Sequence, residues 1–289
     1  MLFKYIMKKE VSLVTGASSG LGKNIALLLC KKGMIVYVTA RRKKELEKLK
    51  KKCTRYSGEI KIISGDLSNK EFRIKLISNI LKKESKIDYL INNAGFGKSI
   101  HLEKMCVNEI KNMFEINVVA YIHLASLVLK SMKKFNSGRI INIGSVVAFT
   151  PLPYFAAYNA TKSAVYGFNR SLRYELKGSK VTSTIVLPAR MKTGFADVAY
   201  DCYIKKGKKF CVERFNKIAG NPINVAKVIV RKLNSGKEVI TPTFKSKIWY
   251  FARYTGFIVD IVAKNFLGPK EKMHLEEAKI AEKYKQKKK

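Results

Sequence analysis

Short apolar runs alternate with segments of helical periodicity along most of this chain. The runs that predict strands lie at residues 11–15, 35–40, 60–64, 88–92, 139–144, 181–187 and 238–241. Apolar residues at helical spacing lie between them, for example at residues 21–32, 72–83 and 108–130. Strands that alternate with helices favour a parallel sheet with helices on both faces, and continuous apolar strands fit a sheet covered on both sides. The pattern predicts one large α/β domain.

The first predicted strand runs into a turn that contains Gly16, Gly20 and Gly22, and a helical segment follows. A strand, a glycine turn and a helix form the context of a dinucleotide pyrophosphate site, because the helix start offers free N–H groups and a positive dipole end to phosphates. The spacing is Gly-x3-Gly-x-Gly rather than Gly-x-Gly-x2-Gly. Glycines also close ordinary turns between strands and helices, so the turn alone is weak support.

Two arginines, Arg41 and Arg42, follow the second predicted strand, and no acidic residue occurs between Lys31 and Lys44. In dinucleotide-binding folds an acid at this place holds the adenosine 2′-hydroxyl, whereas arginine accommodates a 2′-phosphate. The pair predicts NADP(H) rather than NAD(H). The alternative is that both arginines belong to a general basic surface.

Ser145, Tyr158 and Lys162 form a candidate catalytic group with the spacing Ser-x12-Tyr-x3-Lys. Tyr158 and Lys162 are four residues apart, so on a helix they share one face. An ammonium beside a phenol favours the phenolate, and we expect Lys162 to lower the pKa of Tyr158 from about 10 toward neutrality. Tyr158 would then exchange a proton with a substrate. Ser145, at the carboxyl end of a predicted strand, would hydrogen-bond a carbonyl oxygen.

The order and intervals of these motifs resemble the short-chain dehydrogenase/reductase family from about residue 10 to residue 243. The matching residues are the run 15–22, Asp66-Leu67, Asn92 to Gly95, Asn117, Ser145, Tyr158 with Lys162, and Pro188 with Thr193. The resemblance implies a doubly wound Rossmann-type three-layer sandwich with a mostly parallel seven-stranded sheet in the order 3-2-1-4-5-6-7. It also implies an NAD(P)-dependent oxidoreductase domain at residues 1–244, a substrate lid at about residues 190–222, and a homo-oligomer.

The resemblance further implies roles for single residues. Tyr158 would be the acid/base, Ser145 would orient the carbonyl, Lys162 would bind the nicotinamide ribose, and Asn117 would hold a water of a proton relay. The residues expected to contact the cofactor are Gly16, Ser18, Ser19, Gly20, Leu21, Gly22, Arg41, Arg42, Asp66, Leu67, Asn93, Ala94, Gly95, Tyr158, Lys162, Pro188, Met191 and Thr193.

Two groups of these residues are each expected to contact a particular part of the cofactor. Asp66 and Leu67 would line the adenine, whereas Pro188 and the backbone near Met191 would contact the nicotinamide carboxamide. The family usually has Gly after that proline, and this chain has Ala189. Ala disfavours positive φ, so the loop path at the nicotinamide, and with it substrate selection, stays open.

The chain has 289 residues and a formal net charge of +37. Its lysines are spread along the whole sequence, which favours a solvated basic surface in a composition rich in Lys, Ile and Asn over a nucleic-acid site. A polyanion partner stays open as the alternative. The lysine-rich end, residues 285–289, is interpreted as a disordered tail.

The cysteines and histidines predict neither disulfides nor a metal site. The five cysteines are an odd number without Cys-x2-Cys spacing, and we find no signal peptide, so a reducing cytosol is expected. Each cysteine is expected to be a small buried or half-buried apolar residue. They are Cys30, Cys53, Cys106, Cys202 and Cys211.

The predicted lid and the C-terminal extension are both rich in apolar side chains. The lid contains Phe195, Tyr200, Tyr203, Phe210 and Phe215, and more apolar residues follow Ser145, so a lipophilic carbonyl substrate is favoured. In the extension (residues 245–289), charged residues interrupt the apolar segment 248–267, which makes it a poor transmembrane span. An amphipathic helix there would lie in a bilayer interface, or pack on the substrate cleft or on a second subunit.

These observations favour a cytoplasmic NADPH-dependent carbonyl reductase, formally reversible as an alcohol dehydrogenase. A 3-oxoacyl-thioester reductase of lipid synthesis is the alternative within the same class. A different class, a non-catalytic protein that binds a dinucleotide or a polyanion, is disfavoured by the intact group of Ser145, Tyr158 and Lys162.

Overall fold

The computed structural model describes residues 9–200, 209, 212–213 and 215–254. The strands are β1 (Val11–Thr15), β2 (Ile35–Thr39), β3 (Glu59–Ile62), β4 (Tyr89–Asn92), β5 (Gly138–Ile143), β6 (Val181–Val186) and β7 (Val239–Ile240). The helices are α1 (Gly20–Lys31), α2 (Lys43–Cys53), α3 (Lys70–Glu84), α4 (Val107–Phe114), α5 (Ala120–Lys134), α6 (Ala156–Glu175), α7 (Phe195–Ala199), α8 (Pro222–Arg231) and α9 (Phe244–Ala252). A π-helical turn, Glu115–Val119, joins α4 to α5, and short 3-10 turns occupy Leu102–Lys104 and Val146–Ala148.

The seven strands form one sheet in the order β3-β2-β1-β4-β5-β6-β7, and every neighbouring pair is parallel. This confirms the predicted fold class and strand order. The order reverses between β1 and β4, and in open α/β sheets ligands bind in the crevice at the carboxyl ends of such strands. The loops that follow β1, β4, β5 and β6 therefore define where a site can form.

Helices cover both faces of the sheet, as the continuous apolar strands predicted. On one face, Ile25 and Leu29 of α1 share an apolar cluster with Ile229 of α8. On the other face, Leu76 of α3 packs in a second cluster with Leu124 of α5. Both clusters are buried, so the sheet edge that carries the site rests on a rigid core.

A chain of polar side chains runs through the sheet where the pattern indicated only apolar packing. Asn92 of β4 donates to Asn142 of β5 at 3.0 Å, and Asn142 donates to Asn169 of α6 at 3.1 Å and to Ser183 of β6 at 3.3 Å. All four residues are fully buried. Their mutual hydrogen bonds offset the cost of burying amides and tie three central strands to α6.

The continuous helical stretch Val107–Lys134 is long and apolar enough to cross a membrane by length and composition alone. Core helices of globular proteins meet the same criterion. Here Leu124 and Val128 are buried in the second cluster described above, and Tyr121 is buried in a third cluster with Val165 of α6. We therefore interpret this stretch as a core helix.

The described cysteines occupy two kinds of environment. Cys30 and Cys53 are free and buried, as predicted for small apolar residues. Cys106 is exposed, so the prediction is wrong for it, because this residue lies in the loop that caps α4 and its side chain faces solvent. Cys202 and Cys211 lie outside the described residues.

We expect Asn142→Ala to lower the free energy of unfolding by about 3 kcal/mol, since it leaves several buried polar groups without their partner at about 1–3 kcal/mol each. Urea denaturation measures this change. Asn112→Ala, at an exposed position of α4, is the matched control and should stay within about 0.5 kcal/mol of the parent. A loss at Asn142 no larger than the control's would contradict the role of this network.

Candidate active site

Ser145, Tyr158 and Lys162, predicted from their spacing and from the family resemblance, lie together at the carboxyl end of β5. Ser145 caps the 3-10 turn that follows this strand, and its hydroxyl accepts a hydrogen bond from the Val147 amide at 3.3 Å. Tyr158 lies in the first turn of α6 and shares a side-chain hydrogen bond with Ser145. Lys162, one turn further, is 4% exposed and donates to the Ile143 carbonyl at 2.9 Å.

The titration behaviour of this group differs from the prediction. Burial raises the pKa of the Tyr158 phenol above its ordinary value, and the hydrogen bond with Ser145 acts in the opposite direction. The expected lowering by Lys162 is wrong for this structure, because its ammonium points to the Ile143 carbonyl and lies 5.8 Å from the centre of the Tyr158 ring. Burial also lowers the pKa of Lys162 to about 8. Desolvation therefore dominates the pKa of both groups.

Asn117, the fourth candidate, is fully buried in the π-helical turn between α4 and α5. Its amide donates to the Phe96 carbonyl at 2.8 Å and to the Thr161 hydroxyl at 3.0 Å, and its oxygen accepts from the Phe96 amide at 3.1 Å. It also borders Gly95, where an added Cβ would lie 3.0 Å from its oxygen and 3.8 Å from Lys162 Nζ. The π turn thus aims Asn117 at the neighbourhood of Lys162.

An aromatic group encloses the Tyr158 ring. Its centre lies 5.2 Å from that of Phe195 and 6.1 Å from that of Phe155. Tyr200 and Phe215 extend this group, which therefore joins the start of α6 to the predicted lid. Two further predicted lid aromatics, Tyr203 and Phe210, lie outside the described residues.

Gly97 permits this close packing. An added Cβ at Gly97 would lie 2.8 Å from the Phe195 ring and 2.9 Å from the Tyr158 ring. Such separations are shorter than ordinary carbon contacts, so any larger residue would push the aromatic rings apart. No role was predicted for Gly97, because its role depends on rings that are distant along the chain.

The predicted pyrophosphate turn has the form of an anion cradle. Gly16 has φ of 65°, and an added Cβ would lie 2.8 Å from Ala94 Cα, so only glycine fits there. Ser19 precedes α1 without capping it through its side chain, which leaves the first N–H groups of the helix available. The remaining predicted residues of the turn, Ser18, Gly20, Leu21 and Gly22, lie in the same loop and first helical turn.

Arg42 reaches across to this turn. Its guanidinium donates to the Ser18 hydroxyl at 2.9 Å and to the Ser19 hydroxyl at 2.7 Å. Arg41 is also exposed, next to it in the β2–α2 connection. The structure thus brings one of the two predicted arginines to the predicted pyrophosphate turn, where its positive charge adds to the dipole of α1.

Thr15, at the end of β1, fixes the strand-end loops around the predicted adenosine side. Its hydroxyl accepts from the Asn93 amide at 2.8 Å and the Ala94 amide at 2.9 Å, and the Asn93 side chain donates to the Thr15 carbonyl at 2.9 Å. No role was predicted for Thr15, although it stands inside the matching motif. Its place before the glycine turn was the available signal.

The predicted adenine wall is held by local bonds. Asp66 accepts from the Ser68 amide at 2.9 Å, and the buried Leu67 accepts through its carbonyl from Arg73 at 2.6 Å. Arg73 also pairs with Glu115, the first residue of the π turn, at 2.5 Å. No role was predicted for Arg73, which links the predicted adenine wall to the π-helical turn that carries Asn117.

The loop after β6 brings its predicted residues to the same crevice. The Pro188 carbonyl accepts from the Val146 amide at 3.3 Å, Met191 forms a bridge with Gly220, and Thr193 lies beside Gly20. Ala189 is not among the described non-glycine residues with positive φ. Alanine therefore replaces the usual glycine without backbone strain.

A family model for short chain dehydrogenases matches residues 10–201. The chain belongs to the short-chain dehydrogenase/reductase family. It is an NAD(P)-dependent oxidoreductase that acts on CH–OH or C=O groups. The family model covers β1 to α7, and thus the loops that follow β1, β4, β5 and β6.

Two curated relatives are identical to this short-chain dehydrogenase/reductase at about a third of the aligned residues. A 3-ketodihydrosphingosine reductase of Bacteroides thetaiotaomicron is 32% identical over 191 residues, which cover 66% of this chain and 67% of the relative. A 3-oxoacyl-(acyl-carrier-protein) reductase, FabG, of Buchnera aphidicola is 34% identical over 191 residues, with 66% of this chain and 77% of the relative covered.

Solved structures support the fold of this family member. A short-chain dehydrogenase/reductase of Burkholderia phymatum in complex with NAD has a TM-score of 0.79 at 21% identity, and covers 88% of this chain and 95% of that chain. One of Sphingobium yanoikuyae in complex with NADPH has a TM-score of 0.74 at 24% identity, and covers 90% and 95%. Because neighbours hold either cofactor, the fold alone does not decide between them.

The buried ammonium predicts a pH-dependent stability. The pKa of Lys162 is about 8 in the folded chain, below its unfolded value, so protonated Lys162 disfavours the fold below pH 8 and this penalty fades as the pH rises toward 10.5. We expect the stability of the parent relative to Lys162→Met to increase by about 2 kcal/mol between pH 7 and pH 10.

Urea denaturation of both proteins at the two pH values measures this difference. Lys227→Met, at an exposed position of α8, is the control and should show no comparable change. If the stability of the parent changed with pH equally relative to Lys162→Met and relative to the control, the burial of a charged lysine would be contradicted.

Proposed function

We propose that this chain is an NADPH-dependent carbonyl reductase for a lipophilic ketone, formally reversible as an alcohol dehydrogenase. The observation that carries the proposal is the Tyr158 hydroxyl, hydrogen-bonded with Ser145 and enclosed by aromatic rings at the carboxyl edge of the sheet. A phenol in such a place exchanges a proton with an oxygen of the substrate, and the apolar surroundings exclude water from the reaction.

Each side chain of the site has its own role at the carbonyl oxygen of the substrate. Tyr158 gives its proton to the carbonyl oxygen during reduction, and Ser145 holds that oxygen by a hydrogen bond. Lys162 and Asn117 border the same place through Gly95, and we assign to them the binding of ribose and the return of a proton to Tyr158. The bound dinucleotide supplies the hydride that reaches the carbonyl carbon.

The residues of the crevice fit a dinucleotide. The Gly16 cradle, which a Cβ would fill, and the uncapped start of α1 suit a pyrophosphate. Arg42 adds a positive charge beside Ser18 and Ser19, and this supports NADP(H) over NAD(H). Asp66 and Leu67 are assigned to the adenine.

The substrate class follows from the aromatic group around Tyr158. Phe155, Phe195, Tyr200 and Phe215 offer apolar surface to a ligand, with residues 190–222 as its lid. The first relative named above is by its name a 3-ketodihydrosphingosine reductase, which supports a role in lipid metabolism.

A 3-oxoacyl-thioester reductase is the second candidate. The FabG relative, 34% identical, favours it, and the basic surface of this chain would attract an acidic carrier protein. For either substrate we propose that the protein is a cytoplasmic homo-oligomer with peripheral membrane contact. We expect no nucleic-acid partner.

We expect Tyr158→Phe to lower kcat by at least about 100-fold while the affinity for NADPH is retained, because only the exchangeable proton is lost. NADPH oxidation, screened over apolar ketones, aldehydes and 3-oxoacyl thioesters, measures the rate. Tyr174→Phe, exposed on the same helix, is the control. Activity of Tyr158→Phe within about tenfold of the parent would contradict its role.

We expect replacement of Arg41 and Arg42 by Ala to shift the preference from NADPH toward NADH by at least about tenfold, the effect of losing charge-assisted bonds to one phosphate. The ratio of kcat/KM for the two cofactors measures this shift. Arg42→Ala should carry most of it, because Arg42 contacts the phosphate-binding turn. An unchanged ratio in the double variant would mean that the 2′-phosphate is recognised elsewhere.

A further inference from the structure

Helix α9 has one face that is fixed to the body of the enzyme. Ser246 is fully buried, and Trp249 and Tyr250 pack on the apolar cluster behind the 3-10 turn that follows Ser145. Arg253, just after the helix, donates to the Tyr166 hydroxyl at 2.7 Å, and its guanidinium lies 3.9 Å from the centre of the Tyr250 ring. These contacts determine which side of α9 faces outward.

The outward side carries a stripe of exposed apolar residues. Phe244 is 78% exposed, Ile248 51% and Phe251 57%, and Tyr254 follows at 71%. Their spacing of four, three and three residues places them along one face. Large aromatic and aliphatic side chains so aligned and so exposed mark an interaction surface rather than a solvated helix face. We call these four residues the α9 stripe.

Charge indicates what covers the stripe. Lys245 and Lys247 are exposed on the same helix, and the sequence has no Asp or Glu from residue 239 through residue 259. The whole chain carries a formal charge of +37. A second copy docked through the same face would set lysines against lysines, whereas an anionic surface complements them.

We propose that the α9 stripe inserts into the interface of a bilayer that contains anionic lipids, with Lys245 and Lys247 on the headgroups. Aromatic side chains favour the headgroup boundary, and a basic flank adds electrostatic attraction. The structure describes residues 248–254 of the apolar segment 248–267. The proposal therefore uses only the exposed residues of α9 and Tyr254, which follows it. The proposal does not rest on the reaction, because none of the residues it names has a role assigned in the crevice described above.

The test is flotation of the full chain with vesicles of phosphatidylcholine, with or without phosphatidylserine. We expect the parent to float with the anionic vesicles and to stay largely in solution with the neutral ones. The triple variant Phe244→Ser, Ile248→Ser, Phe251→Ser should lose at least about tenfold in partitioning, because three apolar anchors are removed. Lys245→Glu with Lys247→Glu should abolish the preference for anionic vesicles.

Two controls separate the stripe from general effects. Leu102→Ser with Val107→Ser removes apolar residues that are 58% and 61% exposed elsewhere, and should float like the parent. Thermal melts and NADPH affinity, unchanged in the triple variant, show that the fold and cofactor site are intact, so failure here is distinct from failure of the reductase proposal.

The proposal is overturned by any of three outcomes. The parent stays in solution with both vesicle types; the triple variant floats as well as the parent, which means that charge alone drives binding; or the stripe variant only changes the oligomeric state in light scattering, which means that a second copy covers the stripe.

Discussion

The hydrogen bond from Lys162 to the Ile143 carbonyl is the interaction on which the arrangement of the site depends. Ile143 is the last residue of β5, and Ser145 follows two residues later. Lys162 and Tyr158 lie on one face of α6, one turn apart. A single buried bond therefore sets the helix that carries the phenol against the strand end that carries the serine. Burial of the Lys162 ammonium lowers the stability of the native state, as is common for residues placed for function.

Polar bonds between distant segments hold the rest of the crevice in place. Thr15 joins the end of β1 to the loop after β4, and the buried asparagine network joins β4, β5 and β6 to α6. Arg73 connects the loop after β3 to the π turn of Asn117. Each contact lies at or just behind the carboxyl edge of the sheet, so this edge is held rigidly. Phe195, in the predicted lid, packs against Tyr158 beside it.

Two apolar surfaces of this enzyme support the proposed lipophilic substrate. One encloses Tyr158, and the other, the α9 stripe, lies on a helix that packs on the turn after Ser145 through Tyr250. A lipophilic carbonyl compound partitions into bilayers, and an enzyme held at the bilayer surface would meet it there. The bond between Arg253 and Tyr166 of α6 joins the helix of the stripe to the helix of Tyr158.

The fold class, the strand order, the family and the group of Ser145, Tyr158 and Lys162 could all be predicted before the structure was known. These depend on the apolar period and on fixed spacings, which are local or are shared across the family. Four features could be recognised only in the three-dimensional arrangement: the raised pKa of Tyr158, the contact of Arg42 with the glycine turn, the π turn at Asn117, and the outward face of α9. A pKa follows from desolvation and a contact from chain segments far apart in sequence, and neither is contained in the spacing of residues along one element.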